Sequence, residues 1–489
     1  MNSKDYTSIP KEKFEFVNKG ERLTDVKLQT KPTTYFQDAM GRFVKNKASV
    51  FCFVIILLLI IYAIFAPLFS RFKIGDKDGY YQNVTPRSRI FSKLGFWDGG
   101  RKMEVNQATY EYYLNGDSLI LKDYGTVEHL VAKRPVKYHK IKIDTYAKVG
   151  YVKKLLTQDE YEKAKAWEKE TGKKLFYPVR NSDLTKQIYK NDENAWFLTD
   201  EKGNIQRDKM GNIIDIYLKD ETSPDGFAYS ISRMNGNQIE TRVNYREWYY
   251  YQNGFYANFI FGTDSYGYDI WTRMAYGARL SIILSFAVSI INLALGVVIG
   301  AWEGYYGGAV DLVIERIKDI LSYVPTMIIF GLFQLYFAKS AGPIVSLAFA
   351  FIFYGWAGTS STVRAQFYRY KNQDYINASR TLGAKDSRLI FKHILPNAIG
   401  YIITASVLVI PGVIKSESML TYLGIVNLEG SSATSVGTMM STAQGTFTTY
   451  PHALFFPAAF VAILLICFNS FGNGLRDAFN PQLRGAENA

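Results

Sequence analysis

Six stretches of this chain, residues 48–69, 280–301, 321–337, 341–359, 399–414 and 454–471, contain no Asp, Glu, Lys or Arg. With 21% charged residues overall, evenly spread charge would not leave six such windows. A hydrocarbon core of ~30 Å takes about 20 apolar residues in a helix, with about 17 as a lower limit. Most of the windows meet that length, and 399–414 meets it with a flanking residue or two. The rest of the chain is strongly polar, so the 48% hydrophobic average hides two populations. The expected fold class is an α-helical polytopic membrane protein with six transmembrane helices.

The charges between the windows orient them. Residues 1–47 are polar and offer no cleavable signal peptide, so the first window reads as a retained anchor. Arg42, Lys45 and Lys47 stand just before it, and Lys and Arg concentrate on the cytoplasmic side of short loops, which places the amino terminus inside. Six spans return the carboxyl terminus to the same side, together with 363–397, which holds seven Lys/Arg against Asp374 and Asp386. Residues 71–261 then lie outside the cell, and their net positive charge is no objection because long domains translocate largely regardless of charge.

That long segment reads as a folded domain. Runs at 140–152 and 212–218 look like strands, and 228–232 faces 238–243 across a loop containing Asn235 and Gly236, a hairpin signal. Thr157-Gln158-Asp159-Glu160 is a capping box; Tyr161, Ala164 and Trp167 or Glu168 follow at helical spacing, and Gly172 can end the helix. The expected organisation is a cytoplasmic segment 1–47, a first transmembrane helix 48–69, an inserted α+β extracellular domain 71–261 between the first and second helices, and a five-helix core 262–485 carrying the cytoplasmic loop 363–397.

Several functions are excluded. The formal charge of +13 is spread along the chain without a basic block interleaved with aromatics, so no nucleic acid is expected as a partner. Cys52 and Cys467 both fall inside apolar windows, which leaves no disulfide framework and no Cys-based zinc site in the polar regions. Neither G-x-x-x-x-G-K-[ST] nor G-x-G-x-x-G occurs, nor G-x-S-x-G or H-E-x-x-H, and His129, His139, His393 and His452 are scattered. The chain is therefore expected to bind no cofactor and to catalyse no reaction of its own. Intramembrane carboxylates and lysines, which mark ion and proton relays, are missing from the window cores and disfavour a proton-coupled transporter or ion channel.

The most informative stretch is 374–397, DYINASRTLGAKDSRLIFKHILPN. It predicts a helix over 375–382, a turn at Gly383, a second helix capped by Asp386 and running to Ile394, and a stop at Pro396. Small residues Ala378 and Ser379 beside an apolar tip at Leu382 can enter a groove on a partner. The segment resembles the coupling loop of ABC importer permeases, Glu-Ala-Ala, three residues, Gly, nine residues, then Ile-x-Leu-Pro. Gly383 is followed by Leu395 and Pro396 at that spacing, while Asn377 replaces Glu, Ser379 replaces the second Ala and His393 replaces Ile.

The His-Ile-Leu-Pro-Asn ending is similar to the dipeptide and oligopeptide branch. So are Gly262-Thr263-Asp264 through Gly267 and Asp269, with Tyr268 replacing the usual Arg, and Tyr276-Gly277-Ala278-Arg279. Gly304–Gly308 with Asp311, Arg316, Asp319 and Pro325, the stretch 417–424, the tail 474–478 with Asn480-Pro481, and an anchor-like 33–69 complete the likeness to its C-type permease subunit. The resemblance implies a subunit of an ATP-driven peptide importer in a bacterial plasma membrane, multi-pass, with both termini cytoplasmic. Its implied partners are a homologous second permease, two cytoplasmic ABC ATPases carrying the ATP and Mg, an extracellular peptide-binding protein and the lipid bilayer. Asn377, Ala378, Ser379, Leu382, Gly383, Leu395 and Pro396 would form the coupling contact.

Three smaller features have competing readings. The Gly304–Gly308 cluster favours a tight turn over a ligand site, and Trp248-Tyr249-Tyr250-Tyr251 favours an interfacial aromatic belt over a docking surface. Glu417 and Ser418 follow Pro411, Gly412 and Lys415, where a broken helix would face protein or a water-filled translocation path. The rival to transport is a membrane receptor or adhesion protein that presents the 71–261 domain.

Overall fold

The structure is a computed structural model that describes residues 35–88, 90–114, 119–131, 134–176, 188–190, 195–198, 216–220, 228–235, 238–428 and 433–479. The segment before residue 35, Gly236 of the expected hairpin, 212–215 of an expected strand and the tail's Asn480-Pro481 lie outside the described residues.

Helix α1, Tyr35–Lys45, is amphipathic and lays Ala39 and Phe43 against Ala478 and Phe479. Helix α2, Lys47–Phe69, begins where the Asn46 side chain accepts the Ser49 amide. Its buried residues are Ser49, Ile56 and Ala63, one every seventh position, so a single narrow seam packs on the protein. The remaining face is exposed and apolar, as expected for a helix solvated by lipid.

Between α2 and the next membrane helix stands the inserted unit, mixed in α and β as its sequence predicts. Strand β1 (Gly100–Val105), helix α3 (Gln107–Leu114), β2 (Ile120–Val131) and β3 (Arg134–Asp144) form a three-stranded antiparallel sheet in the order β1-β3-β2. Strand β4 (Tyr151–Thr157) leads into helix α4 (Gln158–Thr171), followed by β5 (Ile188–Lys190), β6 (Ala195–Leu198), β7 (Ile216–Asp220), β8 (Ala228–Asn235) and β9 (Gln238–Asn244). These six strands form an antiparallel sheet ordered β4-β9-β8-β7-β6-β5. The hairpin is present, with Asn235 opposite Gln238. The capping box is present too: Thr157 and Glu160 bond each other's amides, and Gly172 closes α4 at φ +68°.

Two sequence expectations fail in this unit. The run 140–152 is strand only at its ends, 140–144 in β3 and 151–152 in β4, and 145–150 is a corner between the two sheets: Asp144 accepts the Tyr146 and Ala147 amides, and Gly150 turns at φ +64°. The aromatic run 248–251 is no membrane belt. It lies in helix α5, Tyr245–Asn253, where Trp248 is buried in the unit's own core beside Tyr81, Val243 and Phe259.

The membrane core follows. Helix α6, Ile270–Tyr306, runs 37 residues and ends at Gly307. Helices α7, Gly308–Tyr323, and α8, Thr326–Ala341, meet at an 84° bend, so the window 321–337 straddles a corner. The cause is Pro325, which lacks an amide donor and biases the residue before it to extended backbone; Val324 has φ −81° and ψ 123°. Helix α9, Pro343–Tyr370, packs along α6. Helices α10 (Asp374–Thr381) and α11 (Asp386–Arg388), a π-helical turn Leu389–Ile394, α12 (Leu395–Val407), α13 (Val409–Tyr422), α14 (Val436–Ala443) and α15 (His452–Ala478) complete the chain. Among the described residues, five helical segments are long and apolar enough to cross a membrane, and the bent α7–α8 pair makes up to six.

Candidate functional site

The segment between α9 and α12 forms a projection with a fixed base and an open tip. Ile376, Leu389, Ile390 and Ile394 are buried against Ala301 of α6, Val363 and Phe367 of α9, and Ala398 and Ile402 of α12. Tyr305 donates to Asp386 at 2.6 Å, and Asn397 donates to the Tyr375 hydroxyl at 3.2 Å and to the His393 carbonyl at 2.7 Å. Movement of this base must therefore be shared with three membrane helices.

The tip matches the expected turn. Gly383 has φ +82°, which a residue with a Cβ adopts at a cost, and an added Cβ there would meet only open space. Asn377, Ala378 and Leu382 are exposed, Leu382 at 88%, whereas Ser379 and Leu395 are half-buried and Pro396 is exposed. Ser379 bonds the Tyr375 carbonyl, and Asn377 accepts from Arg380, so these polar side chains are used locally, while Ala378 and Leu382 leave apolar surface exposed beside them.

Pro396 and Asp386 play other parts than expected. Asp386 lies inside the first turn, after Lys385, and its carboxylate receives Tyr305 and Tyr306 instead of capping. Pro396 does not stop the helix, which continues from Asp386 to Tyr422. The π-helical turn just before it accommodates the missing amide, and Pro396 sits in the first turn of α12, where that donor is not needed.

Glu417 and Ser418 are both buried in α13. Ser281 of α6 donates to Glu417 Oε2 at 2.7 Å and Ser418 approaches at 3.4 Å, while Oε1 is buried with no hydrogen-bond partner among the described residues. The surroundings are hydroxyl-rich: Thr421, Ser435 and Thr438 are buried, and Gly437 of α14 packs against Ser418 and Thr421. The helix interruption lies upstream, at Leu408, between α12 and α13.

A charged network that the sequence windows leave out joins α6, α7 and α9 near the projection. Glu303, fully buried, receives Lys318 at 2.8 Å, Ser360 at 3.0 Å and Arg364 at 3.2 Å. Arg364 also holds Asp311 through two nitrogens at 2.5 and 2.7 Å, and Lys318 holds Glu315 at 2.5 Å. Glu303, Asp311 and Glu315 could crowd a metal ion, but Lys318 and Arg364 already supply the positive charge. Asp311, Glu315 and Lys318 recur at helical spacing on one face of α7, which is the signal that could have revealed the network.

Beside this network the helices come close. Gly296, Gly300 and Gly304 face Thr359, Ser360 and Phe367, and a Cβ at Gly304 would lie 2.6 Å from the Phe367 Cβ. The glycine cluster at the end of α6 is the expected tight turn, with Gly307 at φ +65° and Gly308 at +56°.

At the other end of α6, the 262–269 motif is a staple. Asp264 accepts the Tyr266 and Tyr268 amides at 2.9 and 3.0 Å, and Thr263 bonds both the Tyr81 carbonyl and the Val84 amide. Gly267 (φ +85°) lies against the backbone of Asp78, leaving no room for a Cβ. Tyr268, the departure from the expected Arg, gives Arg273 an aromatic face at 4.0 Å. Asp269 caps α6 by accepting the Thr272 amide at 2.9 Å; burial lifts its carboxyl to about 6 against the lowering effect of the Thr272 bonds.

Two family models match this chain. Residues 274–485 match the family described as binding-protein-dependent transport system inner membrane component, and 34–86 match the N-terminal transmembrane domain of oligopeptide transport permease C. Residues 87–273, which hold all the strands of the inserted unit, lie between the two matched ranges, while its first residues, 71–86, fall within the N-terminal match. The oligopeptide transport system permease protein OppC of Bacillus subtilis is 42% identical over 226 residues, covering 46% of this chain and 72% of that one. The dipeptide transport system permease protein DppC of the same organism is 37% identical, over 47% of this chain and 70% of its own. OppC of Escherichia coli K12 is 34% identical over 46% and 72%. A chain of the MetNI methionine ABC transporter, solved in inward-facing conformations, is 16% identical with a TM-score of 0.35, covering 42% of this chain and 96% of that one. The chain belongs to the inner-membrane components of binding-protein-dependent transport systems, on the branch of the oligopeptide and dipeptide permease C subunits.

Proposed function

We propose that this chain is the C-type permease subunit of an ATP-driven peptide importer and that the 374–397 projection couples ATPase closure to movement of the membrane helices. The observation that carries the coupling role is the projection itself: an exposed tip at Ala378 and Leu382 on a base buried among α6, α9 and α12. A partner gripping the tip bears on all three helices. Alternating access then follows from contacts that differ between two states, which is the only way a bound partner shifts such an equilibrium.

In this reading the chain carries no ATPase site. ATP and Mg act on two cytoplasmic ATPase subunits, a homologous second permease completes the path, and an extracellular peptide-binding protein delivers substrate. Both termini and 363–397 are cytoplasmic, and 71–261 is extracellular. Glu417 and Ser418 belong to α13, a helix beside the path. Membership of a transport family favours this reading over a receptor or adhesion protein.

Reconstitution in proteoliposomes with the partner subunits tests it. Wild type should take up peptide with ATP, and Gly383→Pro or Ala378→Trp should assemble in the membrane yet lose uptake and ATPase association, through an excluded backbone and added bulk. Normal uptake by both variants at equal protein would refute the coupling assignment.

A further inference from the structure

Where α2 leaves the membrane, a cleft of about 610 Å³ separates its last turns from the inserted unit and the start of α6. One wall is lipid-facing: Ile61 is 42% exposed, Phe65 46% and Phe69 83%. This apolar wall is continuous with the outer surface of a membrane-spanning helix, so an acyl chain can lie along it without leaving the bilayer.

The mouth carries charges of both signs. Arg71 is exposed immediately beyond α2, stacked on Phe255 with its guanidinium 4.8 Å from the ring centre. Among the described residues no carboxylate lies within ion-pair distance of it. Arg87 also lines the cleft, but it is committed to Asp144 at 2.5 Å. On the other side is Asp269, 4% exposed; its Oδ2 holds Thr272 while its buried Oδ1 has no hydrogen-bond partner among the described residues. Capping α6 thus explains one oxygen and leaves the other. A buried carboxylate oxygen without a donor is costly, and a cation or N–H donor in the cleft would relieve it.

We propose that this cleft is a phospholipid site selective for a zwitterionic aminophospholipid. The phosphate sits on Arg71, the ammonium on Asp269, and an acyl chain lies along Ile61, Phe65 and Phe69. Arginine suits a phosphate at a membrane boundary. The carboxylate decides the class, because an anionic headgroup such as phosphatidylglycerol brings hydroxyl donors but no positive charge to pair with Asp269. A bound lipid of this kind would bridge α2, the inserted unit and α6, the three parts that meet at the staple. The inference depends on membrane residence alone and is independent of the transported substrate.

Native mass spectrometry of the assembled importer in detergent, titrated with dioleoyl phosphatidylethanolamine or dioleoyl phosphatidylglycerol, tests the assignment. Wild type should retain the phosphatidylethanolamine about tenfold more tightly, the ratio expected from one charged contact worth about 1.4 kcal/mol. Arg71→Gln and Ile61→Trp should each weaken its retention about tenfold, and Asp269→Asn should equalise the two lipids. Arg71 and Ile61 are both exposed, so neither change disturbs the packed core. Free phosphoethanolamine at millimolar concentration should not displace the lipid. Equal retention of the two lipids by wild type overturns the proposal without recourse to any variant. So does full retention by Arg71→Gln, and displacement by free phosphoethanolamine would assign the cleft to a soluble ligand instead.

Discussion

At the scale of single residues, the charged network of α6, α7 and α9 is the most strongly paired group of the core. Glu303 is fully buried, and Lys318 is the nearest of its two cations. Removing one member of a buried pair leaves an uncompensated charge and costs about 3–5 kcal/mol. Lys318→Met should therefore destabilise the purified subunit by about 3 kcal/mol, at the low end because Arg364 remains. Adding Glu303→Gln should restore most of the loss, since the amide can still meet Ser360. Thermal unfolding in detergent reads both, and a double variant no more stable than the single one would contradict the pairing. Charge-free windows could not expose this network: Glu303 and Lys318 stand just outside them, and only the fold brings Arg364 to Asp311. Gly383 was legible by contrast, because its turn is local and requires only a left-handed backbone. The exposure of Leu382 also agrees with its reading as an apolar tip.

Among the elements, α6 and α9 set the geometry of the core. Their contact at Gly296, Gly300 and Gly304 leaves no space for a side chain, and at Gly300 an added Cβ would fall inside contact distance of the Ser360 carbonyl. Overpacking a close helix contact costs about 1–3 kcal/mol. Gly300→Leu should separate α6 from α9, lowering thermal stability and uptake together, while Gly358→Ala, with nothing within 4 Å, should be neutral or slightly stabilising. Equal effects of the two substitutions on unfolding temperature would show that the glycines do not set the spacing. Helices with long apolar runs and the capped helix α4 could be read from sequence because their signals repeat within a few residues. The bend at Pro325 and the continuation through Pro396 could not. The same residue type ends one helix and enters another, and the outcome depends on whether the preceding turn can widen to a π-helix.

The whole molecule divides into a family core and an inserted unit with its own buried aromatic and aliphatic cluster. Residues 71–261 are far longer than a connection needs, since most connections take about 4–6 residues. The unit is not isolated from the core: Trp97 meets Phe261 and Phe456 at 5.7 and 5.8 Å, and Thr263 ties the start of the core to Tyr81. If the unit shapes the mouth where a binding protein docks, replacing 102–242 by a flexible linker should leave assembly intact while reducing binding-protein association and uptake. Unchanged association and uptake in a correctly assembled complex would place the unit outside the transport path. Its mixed α and β character was legible through the hairpin and capping box. Its division into two sheets was not, because the corner at Asp144 is held by Arg87, a partner distant in sequence.

The central claim is that the projection between α9 and α12 is the handle by which ATPase subunits move the membrane helices. Its most direct test is a single cysteine at Leu382, in a chain with Cys52→Ser and Cys467→Ser, crosslinked in the assembled, transport-active importer. The account predicts a specific crosslink from residue 382 to an ATPase subunit, with a yield that changes between the nucleotide-free and ATP-bound states, and none from a control cysteine on the lipid face of α2. An active complex in which residue 382 forms no crosslink to the ATPase in either state would contradict it.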